Sequence, residues 1–215
     1  MAPEINTRRK AGERRDDMKI VLAGPPKSGK SCLREGLKQA VRGIPGAPYP
    51  YIITACPDGE GAWFQETVNR DAQEARKLKE DYKSSINGFS PEFAKRIADS
   101  VANCSLPLVL VDIGGRITSE NEEICSPATH AILLAGDMSR LPEWRDFCEK
   151  VGLVVIAEVY SDYHGSEDTV AGVSPDGIFR GSIHYLERGE DLSQRPCVVA
   201  LAEHLVRLAT SGEQS

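Results

Sequence analysis

Residues Gly24 to Ser31, with the sequence GPPKSGKS, combine glycine, lysine and serine at a spacing that suits a polyphosphate. The pattern is G-x-x-x-x-G-K-S, in which small residues let backbone N–H groups approach phosphate oxygens. In this pattern the side chain of Lys30 reaches the β- and γ-phosphates, and the hydroxyl of Ser31 coordinates Mg²⁺. We therefore predict a phosphate-binding loop, with Lys30 as a catalytic as well as a binding residue.

The second half of this loop has to supply most of the backbone donors, because Pro25 and Pro26 carry no N–H group. Lys27 adds positive charge beside the phosphates, or it is a solvated loop lysine. The apolar run MKIVLA before the loop has the length of a strand, and a helix predicted over about 30–41 points its positive N-terminus at the same anion. The residues expected to contact the nucleotide are Gly24, Lys27, Ser28, Gly29, Lys30, Ser31 and Cys32.

A second pattern, LVLVDIGGR at residues 108–116, supplies an acidic group. An apolar strand that ends in Asp112 places a carboxylate beside the loop, where it can hold Mg²⁺ through the water shell of the metal. The D-x-x-G spacing brings the N–H of Gly115 towards the terminal phosphate, and Arg116 either stabilises developing charge or pairs with a surface glutamate. We predict Ser31 and Asp112 as metal-binding, Gly115 as nucleotide-binding and Arg116 as catalytic.

The stretch CPDGEGAWF, residues 56–64, follows the second predicted strand at the same carboxyl edge of the sheet. Asp58 and Glu60 lie there in a turn that glycines permit, next to two aromatic residues. A carboxylate at this place can accept a proton from an acceptor hydroxyl or orient a water molecule, so both residues are catalytic candidates. The alternative is a tight acidic turn anchored by a core tryptophan.

Apolar runs of strand length alternate with helical patterns along the chain, which predicts an α/β fold with a mostly parallel sheet covered by helices on both sides. Together with the phosphate loop this indicates a P-loop NTPase of three layers, α/β/α. We expect a flexible basic arm over 1–17, one domain over 18–210 with a helical, lid-like insertion at about 58–105, and a tail over 211–215. The predicted strands are 19–23, 51–55, 108–113, 131–134, 153–159 and 182–186.

Composition excludes several other classes of protein. The 215 residues carry a net charge of −6, which argues against binding nucleic acid over the whole surface. No apolar run approaches the length of a membrane span, and six scattered cysteines suit reduced thiols, so we expect a cytoplasmic protein without membrane contact. No N-K-x-D pattern supports guanine recognition, so ATP with Mg²⁺ is the expected cofactor.

The motifs GPPKSGKS, PDGEGAWF, LVDIGGRITSENEEI and THAILLAGD resemble those of the AAA-type P-loop ATPase domains that are fused to ring nucleases in type III CRISPR systems. The resemblance covers about 18–209 and leaves no segment for the nuclease domain, so no nuclease activity is expected. It implies an ATPase role linked to antiviral defence, with a ring nuclease or another type III component as a partner.

Two functions follow as alternatives. The first is an enzyme that moves the γ-phosphoryl of Mg·ATP to water or to an unassigned acceptor such as a nucleotide or oligonucleotide. The second is a regulatory ATPase that hydrolyses ATP slowly to control assembly with a partner. Arg180 and Arg188 lie late in the chain and could reach a neighbouring subunit's nucleotide, so a homo-oligomer is expected.

Overall fold

Seven strands form one sheet in the order β2-β3-β1-β4-β5-β7-β6 in the computed structural model, which describes residues 17–55 and 91–211. The strands β1 to β5 and β7 run parallel, and β6 pairs antiparallel with β7 at the edge. The elements are β1 (Met18–Ala23), α1 (Lys30–Arg42), β2 (Pro50–Thr54), α2 (Pro91–Asn103), β3 (Leu108–Asp112), α3 (Ser119–Cys125), β4 (His130–Ala135), a 3-10 turn (Met138–Arg140), α4 (Leu141–Val151), β5 (Val154–Asp162), β6 (Thr169–Val173), β7 (Phe179–His184) and α5 (Pro196–Ser211).

The central strand β1 shows why the sheet has helices on both faces. All six of its residues are buried, and all except Lys19 alternate between two separate apolar cores. Ile20 and Leu22 pack in the core that holds α1 and α5. Val21 and Ala23 pack in the core that holds α2, α3 and α4. The predicted α/β fold of three layers with a mostly parallel sheet is confirmed.

The last two strands differ from the prediction. The sequence predicted a final strand over 182–186, whereas β7 covers Phe179–His184 and the preceding β6 was missed. β7 ends at His184 because Tyr185 has a φ of 43°, in the left-handed region. β6 was missed because its sequence, TVAGV, is short and contains a glycine, Gly172, which has a positive φ of 79°. Most of its side chains are exposed.

The helix α2 forms the last part of the segment that was predicted as a lid-like insertion. Its Ala94 and Val101 are fully buried in the core, and the ammonium of Lys19 donates a hydrogen bond of 3.0 Å to the carbonyl oxygen of Ala102. Residues 56–90, which include a charged helix predicted over about 67–82, lie outside the described residues. Across 17–55 and 91–211, no helix is both long and apolar enough to cross a membrane.

One buried carboxylate ties the end of the sheet to α5. Asp168 accepts hydrogen bonds from Arg195 Nη2 at 2.5 Å and from the backbone N–H of His184 at 3.1 Å. The ring Nδ1 of His184 lies 2.7 Å from the same oxygen, and the backbone N–H of Cys197 donates to the other. This cluster fixes the loop before β6, the end of β7 and the start of α5, so His184 has a structural role.

Candidate functional site

Two glycines shape the turn between β1 and α1. Gly24 has a φ of 140°, and a Cβ atom there would lie 2.0 Å from the carbonyl oxygen of Leu134. Gly29 has a φ of 86°, and its Cβ would lie 2.6 Å from Cδ1 of Leu186. Backbone conformation and the close approach of neighbours both require glycine at these positions. The loop therefore rests directly on β4 and on the chain segment after β7.

The side chain of Lys30 is held inside the loop. Its ammonium donates hydrogen bonds of 2.9 Å to the carbonyl oxygens of Gly24 and Pro25, and only 8% of the residue is exposed. α1 begins at Lys30 with Gly29 as its N-cap, which offers no capping side chain, and its first turn contains no acidic residue. A helix N-terminus of this kind suits an anion.

The remaining loop residues divide into exposed and buried ones. Lys27 is exposed and has a positive φ of 63°. Ser28 is buried, and its hydroxyl has no hydrogen-bond partner among the described residues. Cys32 is buried, and burial raises the pKa of its thiol, although the positive charge of Arg188 acts in the opposite direction. At neutral pH the thiol is thus protonated, and the backbone N–H is the group of Cys32 that suits phosphate.

Asp112 ends the strand that pairs directly with β1. It lies opposite Leu22 in the parallel register, and it is 1% exposed. Its Oδ2 accepts a hydrogen bond of 3.1 Å from Nη1 of Arg34, which is also buried. The sequence analysis missed Arg34, although its position four residues after Lys30 places it on the same side of α1, one turn further on.

The donor set at this edge fits a magnesium ion. Mg²⁺ prefers oxygen ligands and keeps several of its waters, and Ser31 and Asp112 offer a hydroxyl and a carboxylate. A carboxylate can accept about four hydrogen bonds, so an aspartate that accepts one from Arg34 can also accept one from metal-bound water. Ser31 lies three residues before Arg34 on α1, which puts it on the helix side that faces Asp112.

The loop after β3 packs against the phosphate loop. A Cβ atom on Gly115 would lie 2.5 Å from the backbone nitrogen of Pro26. Asn121 fixes this loop by donating hydrogen bonds to the carbonyl oxygens of Gly114 at 3.2 Å and Arg116 at 2.6 Å. Asn121 was missed as a positioning residue because its partners are backbone atoms that a sequence pattern does not reveal.

Arg116 is exposed, and no ion pair of its guanidinium is found within 17–55 and 91–211. It is therefore accessible to a ligand at the carboxyl edge, as an arginine that stabilises charge has to be. Asp58 and Glu60, the two other catalytic candidates, lie outside the described residues. The structure thus brings Gly24 to Cys32 together with Asp112 and Gly115.

The two arginines that suggested an oligomer lie at opposite ends of β7. Arg180 lies at the amino end of β7, where it forms a paired hydrogen bond with Asp176 and contacts the buried carboxylate of Glu158. Arg188 lies after the carboxyl end of β7 and near Cys32 of its own chain. Only Arg188 is thus on the phosphate-loop side of its own sheet.

A parallel sheet with this loop at the end of its central strand defines the class as a P-loop NTPase fold. Among solved structures, the chain is similar to the septum site-determining protein MinD from Pyrococcus horikoshii OT3, complexed with Mg-ADP. The TM-score is 0.56, and the match covers 93% of this chain and 99% of MinD at 13% identity, which shows a common fold. No protein-family description matches the chain, and no curated protein matches it.

Proposed function

We propose that this chain binds Mg·ATP at the loop between β1 and α1 and moves the γ-phosphoryl group to water or to an acceptor. One observation carries this proposal: Asp112 ends the strand next to β1, in register with Leu22, so an acidic group meets the lysine-bearing loop at one sheet edge. The fold shared with MinD, which was solved with Mg-ADP, also supports ATP as the nucleotide.

Each residue of the site then has a chemical task. The N–H groups from Lys27 to Cys32 bind phosphate oxygens, and Lys30 exchanges its carbonyl partners for the β- and γ-phosphates. Ser31, and Asp112 through water, would hold Mg²⁺, which would neutralise charge on the phosphates. Arg116 is exposed at this edge and stabilises charge that develops on the transferred group. Asp58 or Glu60 accepts the proton of the attacking hydroxyl or orients water.

A second candidate function, a regulatory switch, is favoured by the contact between Gly115 and the phosphate loop. The backbone around Gly115 is so close to Pro26 that the two loops have to move together. A loop that senses the γ-phosphate through Gly115 would thereby change shape when the phosphate leaves. In this second candidate function, slow ATP hydrolysis returns the protein to its state before ATP binding, and no phosphoryl acceptor is needed.

The proposed protein partner rests on the sequence resemblance, whereas the proposed acceptor rests on the acidic stretch predicted after the second strand. We propose a ring nuclease or another type III CRISPR component as a protein partner, and an oligonucleotide or nucleotide as the acceptor. We also propose a cytoplasmic location, from the scattered cysteines, and a homo-oligomer, from the two late arginines. Arg188 near the phosphate loop of its own chain favours a role within one subunit over a role in the neighbour's site.

Turnover of γ-labelled ATP with a panel of acceptors tests this proposal. The label moves to an acceptor in a kinase, and it appears as free phosphate in an ATPase. Asp112→Asn should bind nucleotide and lose most turnover, because the amide cannot hold the metal water as a carboxylate does. Normal turnover by this variant contradicts the metal role of Asp112.

Asp58→Asn and Glu60→Gln separate the two functions. If one of these carboxylates is a general base, its removal should slow transfer by about 10²–10⁴-fold while ATP affinity stays unchanged. If no acceptor raises ATP consumption in the parent protein, the switch is the better description. Parental turnover by both variants, with and without acceptors, would exclude this loop from the chemistry.

A further inference from the structure

The position of the nucleoside follows from the direction of the phosphate loop. Lys30 serves the β- and γ-phosphates, whereas backbone donors further along serve the α-phosphate, which carries the nucleoside. The segment after β7 lies at this end: Leu186 is in contact with Gly29, and Arg188 is near Cys32. The ribose and base of a bound nucleotide therefore extend towards the residues that immediately follow β7.

Two tyrosines lie at this place, and we call Tyr163 and Tyr185 the tyrosine platform. Tyr163 follows β5 and Tyr185 follows β7, which are adjacent parallel strands. The ring centroids are 5.3 Å apart at an angle of 36°. The two residues are 48% and 44% exposed, so a large part of the aromatic surface faces solvent at the same edge as the phosphate loop.

The tyrosine platform is held in place although it is exposed. Tyr185 has a φ of 43°, which is unfavourable for a residue with a Cβ atom. Its backbone N–H donates a hydrogen bond of 3.1 Å to the carbonyl oxygen of Asp162. The hydroxyl of Tyr163 donates a hydrogen bond to the carboxylate of Glu187. Strained residues that the surroundings fix in this way are concentrated at functional and ligand-binding sites.

We propose that Tyr185, supported by Tyr163 and Glu187, stacks against the base of the nucleotide whose phosphates the loop holds, an inference that rests on the proposed function. Aromatic side chains stack on all bases, since every base has a π-face. The tyrosine platform thus increases affinity for nucleotides and does not itself select adenine over guanine. It binds the nucleoside part of the ligand and leaves the phosphates to Gly24 to Cys32.

Calorimetric titration with Mg·ATP, Mg·GTP and Mg·tripolyphosphate tests the inference, because tripolyphosphate has no base. Tyr185→Ala should weaken binding of both nucleotides by about tenfold or more and leave tripolyphosphate binding unchanged. Tyr185→Phe keeps the ring and should bind nucleotides like the parent protein. Tyr49→Ala removes another exposed tyrosine, 57% exposed and distant in sequence, and should change nothing.

A second variant separates stacking from a change of local backbone. Tyr185→Asn removes the ring but tolerates a positive φ, and it should repeat the selective loss seen for Tyr185→Ala. Equal losses for ATP and tripolyphosphate in both variants would show that Tyr185 only shapes the loop, which overturns the inference. Parental ATP affinity in both variants would overturn it as well.

The same titrations keep this inference apart from the proposed function. If the parent protein binds neither ATP nor tripolyphosphate, the proposed function fails and the inference fails with it. A different result would separate the two: the parent binds ATP, Lys30→Ala binds it much more weakly, and Tyr185→Ala binds it like the parent. In that case the proposed function stands and only the stacking role of Tyr185 is wrong.

Discussion

Arg34 and Asp112 form a buried ion pair in which Nη1 of the arginine lies 3.1 Å from Oδ2 of the carboxylate. The two side chains are 3% and 2% exposed, so water scarcely screens their interaction. The pair joins α1, whose first turn completes the phosphate loop, to the strand that carries the acidic group. Asp112 is consequently held by a protein cation on the helix that also presents Ser31.

We expect Arg34→Met to reduce the free energy of unfolding by roughly 3 kcal/mol, because it leaves a buried carboxylate without its arginine. Urea unfolding measures this change. Arg42→Met, on the exposed side of the same helix, is the matched control and should change stability little. Arg34→Met combined with Asp112→Asn should regain part of the loss, since the buried charge is then gone. Equal stability of Arg34→Met and the parent would contradict the role of this pair.

Lys30→Ala should weaken Mg·ATP binding at least tenfold, because a charge-assisted contact to phosphate is worth about 1.5–3 kcal/mol. Lys27→Ala is the matched control in the same loop. Its side chain is exposed, and its loss should cost less than that of the buried Lys30. Calorimetry on both variants makes the comparison, and equal affinity of Lys30→Ala and the parent would refute the phosphate-loop assignment.

Gly115→Ala should weaken nucleotide binding by displacing the phosphate loop. Its methyl group would lie 2.5 Å from the nitrogen and 2.6 Å from Cα of Pro26, which are backbone atoms. Gly115 has no positive φ, so the effect is purely steric. Gly136→Ala is the control at the end of β4, where the methyl group would come no closer than 3.3 Å to the nearest atom. A Gly115→Ala protein with parental affinity for Mg·ATP would show that the two loops move independently.

Asp168 should make the stability of the protein depend on acid pH. Burial raises the pKa of its carboxyl group, but the hydrogen bonds from Arg195 and His184 outweigh burial and lower the pKa below its ordinary value. Because the folded-state pKa is the lower one, this stabilisation is complete above a pH of about 3.9, the ordinary value of aspartate. It is lost as the pH falls through the folded-state pKa.

Asp168→Asn tests this linkage by urea unfolding at several pH values. At pH 7 the variant should lose roughly 2 kcal/mol, the contribution of hydrogen bonds to a charged group. The difference from the parent protein should shrink towards low pH, where the parent's carboxyl group is protonated as well. Asp146→Asn, which changes an exposed aspartate on α4, should behave like the parent. If the difference in the free energy of unfolding between Asp168→Asn and the parent is the same at every pH, the charge of Asp168 does not contribute to stability and the residue acts through packing alone.

The sequence predicted those parts of the molecule that depend on neighbours along the chain. β1 and β3 were found because both faces of these strands are buried and all their residues except Lys19 and Asp112 are apolar. The loop was found because phosphate binding fixes glycine, lysine and serine at set spacings. β6 was missed because its apolar residues form only a short run that Gly172 interrupts.

Contacts between distant segments were beyond prediction from the sequence. Arg34 lies 78 residues before its partner Asp112, so its spacing from Lys30 indicates its side of α1 and does not reveal the partner. Tyr163 and Tyr185 meet only because β5 and β7 are neighbours, with β6 inserted between them in the chain. Such pairs depend on the order of the strands in the sheet, which could not be inferred from the sequence patterns.

The place of β1 inside the sheet, between β3 and β4, determines how its backbone amides exchange with deuterated solvent. β1 has hydrogen-bonded neighbours on both sides, whereas β6 ends the sheet and pairs in the described part of the chain with β7 alone. Amides of β6 will therefore exchange through local opening at a small free-energy cost, and those of β1 only when the whole domain unfolds. The phosphate loop thus begins at a slowly exchanging inner strand, so the start of the loop keeps its shape when the edge strand opens.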